Sequence, residues 1–140
     1  MGGAFKLDFS SLVLVEKDKD NNIIREIDSY KVEEGAENIT RLYFDGNVVN
    51  LFFDTGKDLE EWEYTAAFHL FDEEIFTNRG YNIEDDDSEF NPTWHIEFEL
   101  IQDHQKMQQK LEELCDLIKF SIEKVLIDIS TKESEYKQDS

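Results

Sequence analysis

The fold is decided by residues 104–130, which read HQKMQQKLEELCDLIKFSIEKVLIDIS. The apolar residues of this stretch recur every three or four positions, at Met107, Leu111, Leu114, Ile118, Ile122, Val125 and Ile129. At about 100° per residue they fall within a stripe roughly 60° wide, the pattern of a helix that packs one face on a core. The sequence therefore predicts a long helix from about His104 to Ser130, capped by Asp103.

The chain before this helix consists mainly of short apolar runs that are typical of strands. Residues 61–70 are ambiguous, because Asp58 to Glu61 could form the capping box of a helix. A strand is favoured there by the alternation of Trp62, Tyr64, Ala66, Phe68 and Leu70 with other residues. We predict strands at 4–17, 23–32, 39–44, 48–53, 61–70 and 93–101, a short helix at 72–78 and an acidic loop at 81–92.

Together these elements predict an α+β fold, a mostly antiparallel sheet of about six strands with one face covered by the C-terminal helix. The chain contains 11 Phe, 5 Tyr and 2 Trp, so a core can form without a disulfide or a metal. We expect residues 1–130 to form this single domain, and residues 131–140 to form a polar, frayed tail.

The chain is strongly acidic, with 34 Asp and Glu against 14 Lys and Arg and a net charge of −20. Such a charge argues against direct binding to nucleic acid or to an anionic membrane, because phosphates would repel the protein. Residues 54–99 hold 15 of the acidic residues but only Lys57 and Arg79 as bases. We therefore predict an acidic interaction surface in this segment, formed by Glu60, Glu61, Glu84, Asp85, Asp86, Asp87 and Glu89.

Neither a secretory signal nor an apolar run long enough to span a bilayer is present in the sequence. We therefore expect a cytoplasmic protein without a membrane partner. The single cysteine, Cys115, lies on the apolar side of the predicted helix, which indicates a small buried side chain rather than a reactive thiol.

The most specific local motif is Phe53-Asp54-Thr55-Gly56, which is similar to the catalytic triplet of aspartic proteases. That chemistry requires two carboxylates that share a proton, and the chain has no second copy of the triplet. A turn between strands, in which Asp54 and Thr55 bond to the backbone, is the better interpretation. A hydrolase that uses Asp54 remains an alternative hypothesis, but the sequence contains no convincing catalytic set, and we expect neither an enzyme nor a cofactor.

Three groups of residues have weak metal-binding character. The carboxylates of Asp85, Asp86 and Asp87 could bind Ca²⁺, although a solvated loop is the usual meaning of such a run. Residues 18–22 partly match a calcium loop but lack its glycine and its glutamate, which favours a hairpin turn. His69, His95 and Glu97 could meet only if their predicted strands were neighbours.

The predicted C-terminal helix carries apolar residues outside its main stripe. Phe120 and Ile127 lie about 20° apart on the opposite side of the helix, with Leu117 at its flank. These three residues predict a second contact face, at which the helix would form a homodimer. Scattered apolar surface residues, which are common, are the alternative interpretation.

Four short segments together resemble a known protein family. They are DFSSLVL at residues 8–14, EKDK at 16–19, FDT at 53–55 and EWEY at 61–64. The family comprises small acidic proteins of anaerobic Gram-positive bacteria and is classified as a domain of unknown function. The resemblance covers most of the chain and implies a cytoplasmic bacterial protein, without implying an activity, a cofactor or a site.

The sequence thus favours a non-enzymatic interaction module that binds a basic protein partner or associates with itself. An acidic nucleic-acid mimic that inhibits a DNA- or RNA-binding protein is a sharper form of the first hypothesis. In either form, complementary charges would give fast, salt-sensitive association.

Overall fold

The computed structural model describes residues 10–32 and 35–137 of the chain. One sheet contains the strands β1 (Ser10–Lys17), β2 (Ile23–Val32), β3 (Ile39–Phe44), β4 (Val49–Asp54), β5 (Asn82–Asp86) and β6 (Thr93–Phe98). The helices are α1 (Glu61–Leu70), α2 (Glu74–Thr77), α3 (His104–Ser130) and α4 (Glu133–Lys137), and a 3-10 turn lies at Ala36–Asn38. Residues 4–9 of the first predicted strand are outside the described residues.

The strands are ordered β2-β1-β3-β4-β6-β5 across the sheet. Only the pair β1 and β3 is parallel among the described strands; every other pair of neighbours is antiparallel. Three hairpins therefore account for most of the sheet, and the predicted α+β fold with a mostly antiparallel sheet is confirmed. In the first hairpin, the Asp18 carboxylate accepts hydrogen bonds from the backbone N–H groups of Asp20 (2.9 Å) and Asn22 (3.0 Å).

A single cluster of buried residues joins the sheet to the helices. Alternate residues of β4 and β6, among them Phe53 and Trp94, point into it, since antiparallel partners lie on the same face. The Trp94 ring stacks on Phe71 with the centroids 4.2 Å apart, and on Phe53 at 5.6 Å. The core is thus built around aromatic rings that come from both strands and loops.

Helix α3 has the bounds that its apolar stripe predicts. Asp103 caps it, since the backbone N–H of Lys106 donates to the Asp103 carboxylate at 3.0 Å. All seven residues of the stripe are buried. At its first turn, His104 lies 2.8 Å from the carboxylate of Asp28 and stacks on the Tyr30 ring, which joins α3 to β2. None of the helices in the described residues is long and apolar enough to cross a membrane.

The strand predicted at residues 61–70 is wrong, because this segment forms α1. The Glu60 backbone N–H donates to the Glu63 carboxylate at 2.8 Å, one half of a capping box. The alternation was misleading because α1 packs against both α3 and α4 and is therefore apolar on more than one side. Ala66 and Ala67 are both fully buried and allow the close approach.

The loop predicted at residues 81–92 is also wrong in part, because Asn82–Asp86 forms β5. An edge strand tolerates the acidic residues of this segment, since one of its sides has no neighbour among the described strands. Among the described residues the sheet therefore has six strands, as predicted, but β5 takes the place of the strand predicted at residues 61–70. The last predicted strand is shorter than expected, as β6 ends at Phe98.

Candidate functional site

The acidic run from Glu84 to Glu89 begins on the edge strand β5 and continues into the turn before β6. Because side chains alternate along a strand, its carboxylates are divided between two faces. Glu84 pairs with His95 on the face away from the buried Trp94, whereas Asp85 pairs with Trp94 itself. The run is therefore not the uniform acidic loop that the sequence predicts.

Asp85 forms a carboxyl–carboxyl hydrogen bond with Glu73, the residue before α2. Burial raises the pKa of Glu73 above its usual range, and the hydrogen bond and negative charge of Asp85 raise it further, to about 6. Two carboxyls this close resist simultaneous ionisation. The two carboxylates therefore repel each other at neutral pH.

The remaining acidic residues of the run, together with the adjoining Phe90, are here called the acidic ridge: Glu84, Asp86, Asp87, Glu89 and Phe90. The turn of the ridge is held by the Tyr64 hydroxyl of α1, which lies 3.1 Å from the backbone carbonyl oxygens of both Asp87 and Glu89. At its tip, the Phe90 side chain is 80% exposed. An ordered acidic turn therefore presents a large apolar side chain to solvent.

Asp86 is fixed from two sides within the acidic ridge. The backbone N–H and the hydroxyl of Ser88 both donate to its carboxylate, and these bonds hold the pKa of Asp86 below its usual range. On the other side, the Arg41 guanidinium lies 3.9 Å from Asp86 and 3.6 Å from Glu89. Arg41 thus neutralises part of the negative charge of the ridge, whereas Glu84 and Asp87 keep exposed carboxylates.

Arg41 also belongs to a stack on the sheet that the sequence did not reveal. Its guanidinium carbon lies 3.9 Å from the centroid of the Phe52 ring, which stacks on His95 at 4.1 Å. Nε2 of the His95 ring lies 2.8 Å from the amide oxygen of Asn50. These residues come from three neighbouring strands, so only their register brings them together. The sole sequence signal was the two-residue spacing of Asn50 and Phe52, which places both side chains on one face of a strand.

Glu60 and Glu61 are not part of the acidic ridge. They line a separate cleft of about 680 Å³ between α1 and α4, whose walls include Trp62, His69 and Tyr136. The two acidic groups were predicted as one surface, but the structure places them on different elements, connected through Tyr64. Trp62 is half-buried at this cleft, whereas Trp94 is fully buried in the core.

Asp54 has the geometry of a turn residue. Its carboxylate accepts a hydrogen bond from the backbone N–H of Gly56 at 2.9 Å, as the turn interpretation requires. It lines a hollow of about 310 Å³ together with Glu89 and Arg41. In this hollow the carboxylate of Glu89 lies 3.6 Å from the guanidinium of Arg41.

The residues considered as metal ligands do not assemble. His69 lies on α1 and not on a strand, so it does not join His95 and Glu97 on β6. Asp85 and Asp86 point to opposite faces of β5. In the described part of the chain, no group of three or more His, Cys, Asp or Glu side chains is arranged to hold a metal ion.

The predicted second face of α3 is exposed in part. The side chains of Phe120 and Ile127 are 58% and 64% exposed, but Leu117 is buried in the core and so is no part of an exposed face. Cys115 is buried as expected, and its burial raises the pKa of its thiol to about 12. The thiolate needed for reactivity is therefore absent at neutral pH.

Comparison with known proteins identifies the family without indicating an activity. Residues 7–137 match the model of a family described as a family of unknown function (DUF6762). The searches of curated proteins and of solved structures found no match. Since the matched residues span almost the whole chain, the protein belongs to this family of unknown function, DUF6762.

Proposed function

We propose that this protein is a non-enzymatic interaction module whose acidic ridge binds a basic segment of a protein partner. The single observation that carries the proposal is the 80% exposure of Phe90 at the tip of an ordered acidic turn. Large aromatic side chains are common binding hot spots, and surrounding carboxylates favour a partner rich in Lys and Arg.

The position of β5 supports the same interpretation. It is the last of the described strands of the sheet, and an extended segment of a partner could be added beside such a strand. Glu84, Asp85 and Asp86 would repel the same strand of a second copy, and acidic residues commonly protect edges in this way. A basic segment would meet attraction instead of repulsion. The ridge therefore combines an open edge, negative charge and an exposed aromatic side chain.

Capture from a cell lysate at low salt, followed by stepwise elution with salt, tests the proposal. We expect a basic protein to be retained, and the variant Phe90→Ser combined with Glu84→Gln and Asp87→Asn to release it at lower salt. Glu123→Gln with Asp116→Asn is the matched control, because these exposed acids lie on α3 and not on the ridge. Equal retention by both variants would rule out the ridge as the binding surface.

A nucleic-acid mimic is the narrower form of this proposal. In that case the captured protein binds DNA or RNA through the same basic surface. Added DNA or RNA should then displace the captured protein competitively, whereas a neutral polymer should not. Retention that is unaffected by nucleic acid would leave the general proposal standing and exclude mimicry.

Self-association through α3 is the second candidate function. It is favoured by the exposed side chains of Phe120 and Ile127, which lie on the same side of the helix. Residues 117–130 carry two lysines and two acidic residues, so this segment is electrically neutral in a chain of net charge −20. Two copies could thus approach here without the repulsion expected elsewhere.

The proposal also includes the arrangement and the setting of the module. We take α3 to cover the sheet face that presents Leu51 and Trp94, because the buried residues of α3 and of this face belong to one cluster. A cytoplasmic location and an origin in anaerobic Gram-positive bacteria stay predictions from the sequence and from the family resemblance.

A further inference from the structure

We propose that the cleft between α1 and α4 is a binding site for an organic cation, an ammonium or guanidinium group carried on an apolar stem. The cleft has a volume of about 680 Å³, which is within the usual range for small-ligand pockets. This volume exceeds what a bare ammonium group needs, so the ligand must bring further atoms. The site is separate from the acidic ridge, and its test does not depend on the proposed function.

The walls of the cleft offer aromatic surface. The indole N–H of Trp62 is buried and has no hydrogen-bond partner among the described residues. Trp62 is half-buried and lines the cleft, so with its nitrogen covered it offers the wall apolar rather than hydrogen-bonding surface. An exposed tryptophan ring attracts cations more strongly than other aromatic side chains do, through its quadrupole. The wall thus favours a positively charged ligand over a hydrogen-bonding neutral one.

The opposite wall is fixed by a contact between the two helices. Nδ1 of His69 on α1 lies 3.2 Å from the hydroxyl of Tyr136 on α4, and the two ring centroids are 5.8 Å apart. This contact holds α4 beside α1 and places a second aromatic ring at the cleft. Three aromatic side chains, those of Trp62, His69 and Tyr136, therefore line the cleft, and aromatic rings attract ammonium groups.

Charge at the cleft points to the same class of ligand. Its lining includes the carboxylates of Glu60, Glu61 and Glu135 against one ammonium group, that of Lys137. Lys137 is paired with Glu133 at 3.5 Å and Glu135 with Lys132 at 3.5 Å, so Glu60 and Glu61 supply most of the attraction for an incoming cation. Carboxylates beside aromatic rings supply attraction that an anion or a neutral molecule of the same shape would not receive.

Choline and its neutral isostere 3,3-dimethylbutan-1-ol provide the sharpest test, because they differ in charge but hardly in shape. Tryptophan fluorescence can follow binding, since Trp94 is fully buried in the core and only Trp62 lines the cleft. We expect choline to bind at least about tenfold more tightly than the alcohol. Equal affinities, or no saturable signal with choline at millimolar concentrations, would overturn the proposal.

Peptides distinguish a free cation from a protein side chain. A short peptide containing trimethyl-lysine, lysine or acetyl-lysine at one position should bind in that order of decreasing affinity if the cleft accepts a side chain. Binding of free choline without binding of the trimethyl-lysine peptide would assign the site to a small metabolite. In both outcomes the acetylated peptide must bind weakly, and tight binding of it would contradict the cation site.

Variants locate the site by calorimetry, which does not require the tryptophan signal. Tyr136→Ala and Glu61→Gln should each weaken choline binding severalfold, while Trp62→Phe should retain part of it and Trp62→Leu should lose it. Glu123→Gln, an exposed acid on α3, is the matched control and should have no effect. Near-ultraviolet circular dichroism verifies that each variant is folded. Unchanged binding by folded Tyr136→Ala and Glu61→Gln would exclude the cleft.

Discussion

Gly35 lies so close to Cys115 that a Cβ atom on Gly35 would overlap the backbone carbonyl oxygen of Cys115. Gly35 has a φ of +98°, a conformation that side chains disfavour, and it is buried beside the middle of α3. The turn after β2 thus touches the backbone of α3 directly. Both the close approach and the conformation require glycine at this position.

We therefore expect Gly35→Ala to destabilise the protein by about 2–4 kcal/mol, the sum of the conformational and the overpacking cost. Gly46→Ala is the control, because Gly46 has a similar φ of +92° but no atom within 4 Å of an added Cβ. Its cost should be limited to about 1–2 kcal/mol. Urea denaturation measures both, and an equal loss in the two variants would show that the contact with Cys115 is unimportant.

Two isoleucines on α3 test which face of the helix is buried. Ile118 is fully buried, whereas Ile127 is 64% exposed. Truncation of Ile118 to alanine should cost about 2–5 kcal/mol, because it leaves a cavity in the core. Ile127→Ala should change the free energy of unfolding by less than about 0.5 kcal/mol. Chemical denaturation at a concentration where the protein is monomeric gives both values, and similar losses would contradict the orientation of α3.

Glu73 makes stability depend on pH in an identifiable direction. Its pKa is about 6 in the folded protein, above the ordinary value of 4.5, so the unfolded chain loses this proton more readily. Stability should therefore fall as pH rises from about 4.5 through 6, and this loss should persist at higher pH. Glu73→Gln abolishes this loss of stability. The variant should therefore be more stable than the natural chain above pH 6 and equally stable below about pH 4.5.

The gain from Glu73→Gln should be about 1 kcal/mol at neutral pH, after allowance for screening by solvent. Thermal unfolding as a function of pH measures it. Glu74→Gln is the control, since Glu74 is the exposed neighbour of Glu73, and it should not reproduce the pH dependence. A constant difference between Glu73→Gln and the natural chain across this range would show that the pKa of Glu73 is not raised in the folded protein.

If the protein self-associates through α3, two substitutions on this helix should lower its molar mass in solution. Phe120→Asp with Ile127→Asp should yield a folded monomer by light scattering, because charges would replace the exposed apolar side chains. Gln105→Glu with Gln109→Glu adds the same charge at exposed positions of the first half of α3 and should leave the mass unchanged. A natural chain that is already monomeric at high micromolar concentration would end this candidate.

Several parts of the structure could be predicted because neighbouring residues in the sequence decide them. The period of the buried side chains from Met107 to Ile129 set the length of α3, and the Asp103 cap marked its first turn. The first two hairpins likewise follow from apolar runs separated by turn residues, as at Asp18 and Asp45. In each case a hydrogen bond between nearby residues, or a single buried face, is enough to determine the element.

What only the tertiary structure decided depends on how the elements pack together. Residues 61–70 alternate like a strand but fold as α1, because contacts with α3 and α4 bury more than one side of this helix. The same packing leaves Trp62 at a cleft and Trp94 in the core, although both occupy alternating apolar runs. The sequence alone determined an acidic α+β protein with a long helix after its last strand, since local periodicity and composition suffice for that. The cleft between α1 and α4 required the fold, because Trp62 and Tyr136 lie on two helices that are far apart in the sequence.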